Sequence, residues 1–324
     1  MTRIDAHIHF PGDTPESIAL LDHFDLKLLN ICYSQDAHGA WRDQAEIYRS
    51  LAETYPHRYA WCTTFDLPRF DDPDYVKSVI AGLESDFAAG AVACKVWKNM
   101  GMGVRTPSGA SFMVDDPLLD PIYSFVADSR KTLLMHIADP RSCWEPLRES
   151  CPHSGYYRSH PEWYMYGRED VPSHAELVDS RDAVIANHPN LRIVGAHLGS
   201  LEHDLNELAL RFDRYPNFAA DISARLPDLA RHETVQVREF CVRYQDRILF
   251  GTDHGTRDRF SRMPAEESIR ELRELADRLN EHFEFFASAE KLSVNGHCTQ
   301  GMALPTDVVE RILRTNAQTW YPGL

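Results

Sequence analysis

A short apolar run followed by a longer stretch of helical period recurs along this chain, and that alternation constrains its fold more than any other feature. The strand candidates are Ile4–His9, Leu26–Tyr33, Tyr59–Thr64, Ala91–Val96, Thr132–His136, Arg192–His197, Phe218–Ile222 and Ile248–Asp253. Helical candidates lie between them at Pro15–His23, Trp41–Tyr55, Asp74–Ala88, Pro117–Asp128, His174–Asn187, Leu201–Tyr215 and Val235–Tyr244. Strands joined through helices run parallel, and eight of them close into a barrel. A doubly wound open sheet would want a glycine-rich first turn, whereas the first strand ends in His-Ile-His-Phe-Pro. The expected fold is therefore α/β, a (β/α)8 TIM barrel read as a single domain over residues 1–324. The last sixty or so residues read as a helical extension, with a final helix near Thr306–Thr319. Three connections are long: Trp97–Asp116, Ala138–Ser173 and His254–Pro264. Each follows a strand and precedes a helix, which puts all three at the C-terminal mouth of the barrel.

Charge narrows the partners. Lys and Arg total 34 against 49 Asp and Glu, a formal charge of −15. Such a chain repels phosphate backbones and anionic bilayers, so the expectation is a small-molecule substrate, no nucleic acid and no membrane. No apolar stretch approaches the roughly 20 residues needed to cross a bilayer. The N-terminus carries Arg3, Asp5, His7 and His9 where a secretory signal needs an apolar core. Seven scattered cysteines with no Cys-x-x-Cys pair argue against a disulfide framework or a thiolate zinc site. These features together fit a cytoplasmic protein; a homo-oligomer is left open.

The chemistry gathers at strand ends. His7 and His9 stand two apart in a strand and so share a face, and neutral imidazoles placed together bind zinc or a similar ion. Alternation puts Asp5 on that face one layer deeper, either orienting a ligand histidine or filling a polar barrel layer. His136 ends Thr-Leu-Leu-Met-His, His197 ends Arg-Ile-Val-Gly-Ala-His, and Asp253 ends Ile-Leu-Phe-Gly-Thr-Asp. Titratable groups converging from four strand ends are costly to bury without a cation or a complete hydrogen-bond network.

These residues and their wording resemble the amidohydrolase superfamily. Ile-Asp-Ala-His-Ile-His, Ala-His-Leu-Gly, Phe-Gly-Thr-Asp and the late Asn316–Ala317 look like the branch that includes aminocarboxymuconate-semialdehyde decarboxylase and pyrone-dicarboxylate lactonase. The resemblance implies one divalent ion, zinc or manganese, held by His7, His9, His136 and Asp253, which lowers the pKa of a bound water. It implies Asp253 as proton acceptor and His197 as general acid/base or as the group that polarises the substrate carbonyl. Lys95, inward at the end of the fourth strand, has three readings: a substrate contact, a carboxylated bridge to a second metal, or a cation neutralising nearby carboxylates. Arg225 could pair with a substrate carboxylate or with a neighbouring loop. His254 could line the mouth or make a local hydrogen bond. The aromatic residues of loop 138–173, Trp144, Tyr156, Tyr157, Trp163, Tyr164 and Tyr166, could wall a pocket, form a subunit interface or pack a small core of the loop itself.

The expected activity is hydrolysis of a C–N or C–O bond, an amide or lactone, in a small anionic, carboxylated molecule. Non-oxidative decarboxylation on the same ligand set is the alternative. An inactive binding relative would show the loss of a ligand, and none is lost.

Overall fold

A computed structural model describes residues 2–35, 39–256 and 258–324. Eight parallel strands follow one another around a nearly closed barrel in sequence order. They are β1 (Arg3–Ile8), β2 (Leu26–Ile31), β3 (Tyr59–Thr64), β4 (Ala93–Val96), β5 (Thr132–Met135), β6 (Arg192–Gly195), β7 (Phe218–Asp221) and β8 (Ile248–Leu249). Helices lie between consecutive strands, as the alternation requires. Thr14 caps the helix Pro15–His23 through its side chain, with proline in the first turn. Ser173 and Glu176 form a reciprocal capping box on His174–Asn187. No helix among the described residues is long and apolar enough to cross a membrane.

Side chains divide by face. Leu28, Tyr59, Cys94, Leu133 and Ile193 pack outward with the helices, while Leu29, Ala60, Ala93, Leu134, Val194 and Leu249 fill a separate interior cluster. Trp320 and Tyr321 at the end of the chain belong to that interior cluster. Trp320 Nε1 donates to the Asp246 carbonyl (3.0 Å), and Asn316 Nδ2 donates to the carbonyls of Gln245 (2.6 Å) and Ile248 (2.7 Å). The C-terminal segment thus closes the barrel floor. The seam between β1 and the chain after β8 is joined by backbone bonds: Ala6 N to Phe250 O (2.9 Å), Asp253 N to His7 O (2.8 Å) and His9 N to His254 O (2.9 Å).

Two expectations are corrected. The C-terminal extension is not wholly helical: the 23-residue helix Ala265–Ala287 leads into a hairpin of β9 (Lys291–Val294) and β10 (His297–Gln300). Its turn is Asn295–Gly296, both with positive φ (46° and 75°), the conformation this dipeptide adopts in two-residue hairpins. The second correction concerns β1, whose register shifts between Asp5 and Ile8. Ile4 and Ala6 join the interior cluster, so the simple alternation that put Asp5 on the face of His7 does not hold. Asp5 instead accepts from the backbone N–H groups of His7 and Thr252 (3.1 Å each) and from Thr252 Oγ1 (2.6 Å), and burial raises its pKa to about 7.

Candidate active site

Several strands stop earlier than their apolar runs suggest because the chain turns sharply at the mouth. Ala138, His197, Ala224 and Asp253, which follow β5, β6, β7 and β8, all have positive φ (54–62°). Non-glycine residues rarely take this conformation, at a cost of order 1–2 kcal/mol each, and it concentrates at functional rims. The turns aim His197 and Asp253 at a common space. Beneath them, Gly195 and Gly251 permit close packing. A Cβ on Gly251 would stand 2.9 Å from His7 Cβ and 3.2 Å from Ser223 Cβ.

Three groups converge at this rim. His7 Nε2 and His9 Nε2 each lie 3.5 Å from Asp253 Oδ1. Hydrogen bonding fixes the tautomers behind them. Asp221 Oδ2 accepts from His7 Nδ1 (2.8 Å), which leaves Nε2 of His7 bare. The carbonyl of Ser223 can only accept, so His197 keeps its proton on Nδ1 (2.8 Å) and presents a bare Nε2. That lone pair takes the Nδ1 proton of His136 (3.2 Å), which in turn bares Nε2 of His136. Burial pushes the pKa of His9, His136 and His197 down, and the ammonium groups of Lys98 and Lys95 add to this at His136. The imidazoles are therefore neutral, with lone pairs available.

A metal ion fits this donor set. The bare Nε2 of His7 facing the Asp253 carboxylate oxygen sets a lone pair against an anion, an arrangement that calls for a cation between them. Two further ring nitrogens, His9 Nδ1 and His136 Nε2, are buried without a hydrogen-bond partner. Lys95 Nζ, 3.0 Å from His7 Nε2, places an amino group at the same spot. His7, His9 and Asp253 bring their ligand atoms within 4.8 Å of one another. His136 stands outside that group, beside His197, with Nε2 3.4 Å from Asp139 Oδ1. A second grouping, His7, His197 and Asp221, is buried and tied together through Ser223 Oγ, which donates to Asp221 and lies 3.1 Å and 2.9 Å from the two Nδ1 atoms.

The rim opens into a cavity of about 620 Å³ whose floor includes His9, Lys95, His136, His197 and Asp253. Its two lysines differ. Burial lowers the pKa of Lys95, while for Lys98 burial, the largest single effect, is outweighed by Asp139 and Tyr156 together, which leave its pKa raised. Arg225 is buried and does not reach the cavity wall; NH1 donates to the adjacent carbonyl of Ala224 (3.2 Å), and Nε has no partner. His254 also lies off the wall, buried 3.6 Å from Glu271, with its pKa lowered to about 4 by burial. The loop aromatics divide. Tyr156 and Trp163 line the cavity, whereas Tyr157 is buried in the core and Tyr164 packs between Tyr157 and Tyr166.

Asp221, Ser223, Lys98 and Asp139 emerge as site residues that the sequence reading did not single out. Asp221 had a signal, since it closes its strand as Asp253 follows β8, but its partner His7 is 214 residues away.

No curated protein sequence matches the chain. Solved structures do. A 2,6-dihydroxybenzoate decarboxylase complexed with 2,6-dihydroxybenzoate is 17% identical over 99% of both chains, with a TM-score of 0.54. A dihydroxybenzoic acid decarboxylase from a Polaromonas species, with bound manganese and 2-nitroresorcinol, is 14% identical over 99% of this chain and 96% of its own (TM-score 0.56). A 4-oxalomesaconate hydratase from Rhodopseudomonas palustris is 14% identical with the same coverage and TM-score. At these identities the likeness is one of fold. The sequence itself goes further, since a family model described as amidohydrolase matches residues 4–323. With the barrel, the rim of histidines and Asp253, and that match across nearly the whole chain, the protein belongs to the amidohydrolase family.

Proposed function

We propose that this chain, acting as one catalytic domain over residues 1–324, is a metal-dependent hydrolase that cleaves a C–N or C–O bond in a small carboxylated molecule, an amide or a lactone. The observation that carries the proposal is the convergence of His7 Nε2, His9 Nε2 and Asp253 Oδ1, with His9 and Asp253 lining a cavity large enough for such a molecule. One divalent ion, zinc or manganese, would be held by these three, with the unpartnered His136 Nε2 as the fourth donor. Its contribution would be to make water a competent nucleophile near neutral pH and to polarise the substrate carbonyl. The chain supplies the remaining chemistry. Asp253 accepts the proton of the attacking water. His197, kept neutral and with its tautomer fixed by Ser223, serves as the acid–base group. Lys95 meets the substrate anion directly, and Arg225 adds positive charge from behind the wall. The connected rings of His9, Tyr33, Trp97 and Trp163, with successive centroids 5.3, 5.1 and 5.1 Å apart, suit a flat substrate.

Non-oxidative decarboxylation on the same residues is the second reading, favoured by the decarboxylases among its structural neighbours. The test is to load purified protein with zinc or manganese and follow acid release from carboxylated lactones and amides. Carbon dioxide release from hydroxybenzoates is measured in parallel. Hydrolysis that disappears with a chelator and in Asp253→Asn is the expected result. Metal-dependent carbon dioxide release without hydrolysis would replace the first reading with the second. Protein that takes up no divalent ion would overturn both. Lys95→Met separates the readings of the lysine: retained metal content with weakened catalysis means substrate contact, and lost metal content means a carboxylated bridge to a second ion.

A further inference from the structure

Lys98 and Asp139 are both buried, and Lys98 Nζ has three acceptors: Asp139 Oδ1 at 2.9 Å, Asp139 Oδ2 at 2.7 Å and the hydroxyl of Tyr156 at 3.0 Å. An ammonium has three N–H donors and no lone pair. All three donors are therefore committed, and the Tyr156 oxygen can only receive from Lys98. Its own O–H hydrogen must point elsewhere, and no acceptor for it occurs among the described residues. Tyr156 lines the same cavity as His136, His197 and Asp253. Its ring packs 4.6 Å from the ring of His160 and 4.9 Å from the Lys98 ammonium. The result is a phenol, 42% exposed at the cavity it lines, whose oxygen is held and polarised by a cation and whose proton is left free for a ligand there.

We propose that Tyr156 is a catalytic hydrogen-bond donor that stabilises the substrate oxygen on which negative charge develops, with Lys98 and Asp139 as the positioning residues that set the direction of its proton. This rests on the cavity being the reaction site as proposed above. Donors arranged before reaction toward a developing oxyanion lower the barrier because they need no reorganisation when the charge appears. Lys98 fits the positioning role better than direct contact, since its own donors are already used. Asp139, with Tyr156, holds the pKa of Lys98 up against the lowering effect of burial, which keeps it an ammonium.

The test uses manganese-loaded full-length protein and 4-nitrophenol as a chromophoric oxyanion probe. Binding is followed by the phenolate absorption band over a pH series, for the wild type, Tyr156→Phe, Lys98→Met and a chelator-treated sample. The expected result has three parts: metal-dependent binding with the bound probe's pKa depressed, phenolate affinity about 10-fold or more weaker in Tyr156→Phe, and a bound-probe pKa raised in both variants. A purely structural role for Lys98 would alter stability without moving that pKa. Metal-dependent binding with the same affinity and pKa in Tyr156→Phe would overturn the assignment of Tyr156 alone. Binding indifferent to the chelator would instead overturn the site reading beneath it. Failure of the loaded wild type to hold the phenolate would also overturn the proposal, because a free donor beside a cation must favour that anion.

Discussion

Asp221→Asn tests the logic of the site through a residue that does not touch the cavity. The carboxylate is fully buried and accepts from His7 Nδ1 (2.8 Å), His197 N (2.9 Å), Ser223 N (3.1 Å) and Ser223 Oγ. Oδ1 takes the last three, so the amide oxygen of Asn is held there and its NH2 must face His7. That group can only donate, which forces His7 to carry its proton on Nε2 and removes the lone pair aimed at the metal position. Loss of such a supporting carboxylate typically costs about 10–100-fold in metal affinity, equivalent to ~1.4–2.7 kcal/mol. Competition with a chromophoric chelator at neutral pH measures this directly, with metal content after dialysis as a second readout. Ser223→Ala is the control: it removes one hydroxyl but leaves Asp221 on His7, and its effect is expected to be smaller. Zinc or manganese affinity within twofold of the wild type in folded Asp221→Asn would refute the argument that Asp221 sets the His7 tautomer.

Three further outcomes follow from the packing. Gly251→Ala places a Cβ 2.9 Å from His7 Cβ and is expected to lower metal content, whereas Gly255→Ala, with 3.6 Å to His9 Cβ, is tolerated; elemental analysis of the two proteins side by side checks this. Burial lowers the pKa of His282 and His174 to about 4 each, so the folded chain binds fewer protons than the unfolded one below the usual histidine value of about 6.5. Their stabilisation is complete above that value and is lost as pH falls through about 4. This removes about 2 kcal/mol per residue by pH 5, and His282→Gln should flatten the dependence of the urea midpoint on pH. Trp320→Ala empties the barrel floor and removes the bond to Asp246 O, an expected loss of ~3–5 kcal/mol in denaturant unfolding that unchanged midpoints would contradict.

Strand positions were legible in the sequence because burial on both faces leaves continuous apolar runs such as Leu133-Leu134-Met135. The residues that end those runs were legible for the same reason, since a histidine or aspartate closing an apolar segment stands out. What the runs concealed was their true end. His197 and Asp253 themselves take a left-handed φ without being glycine, so the strands appeared to continue through them. The β1 bulge was hidden too, because Ala6 and Ile8 suit either face, and alternation alone misplaced Asp5. Asn295–Gly296 did carry the hairpin signal, but it follows a long helix that suggested a helical remainder. The Lys98–Asp139–Tyr156 cluster had no periodic signal, because Lys98 and Asp139 lie in turns after β4 and β5, Tyr156 sits in the short helix Ser154–Ser159, and their meeting depends on how these segments fold over the mouth.

The seam of the barrel has a consequence for how the protein holds together. His7 lies in the first strand, His9 directly after it and Asp253 after the last, so an ion held among them would fasten the two ends of the sheet to each other. Closing a loop of that length costs entropy that rises only slowly with its size, and a clasp at its ends offsets that cost in a single bond set. A ligand that binds only the folded form also stabilises it in proportion to the logarithm of its concentration. Without the ion, the seam is joined by the backbone bonds of Ala6, His9 and Asp253, with the Asp253 carboxylate facing His7 Nε2. The expected outcome is that chelation speeds amide exchange in β1 more than in β5 and β6 on the far side, and equal protection with and without the ion would contradict the clasp.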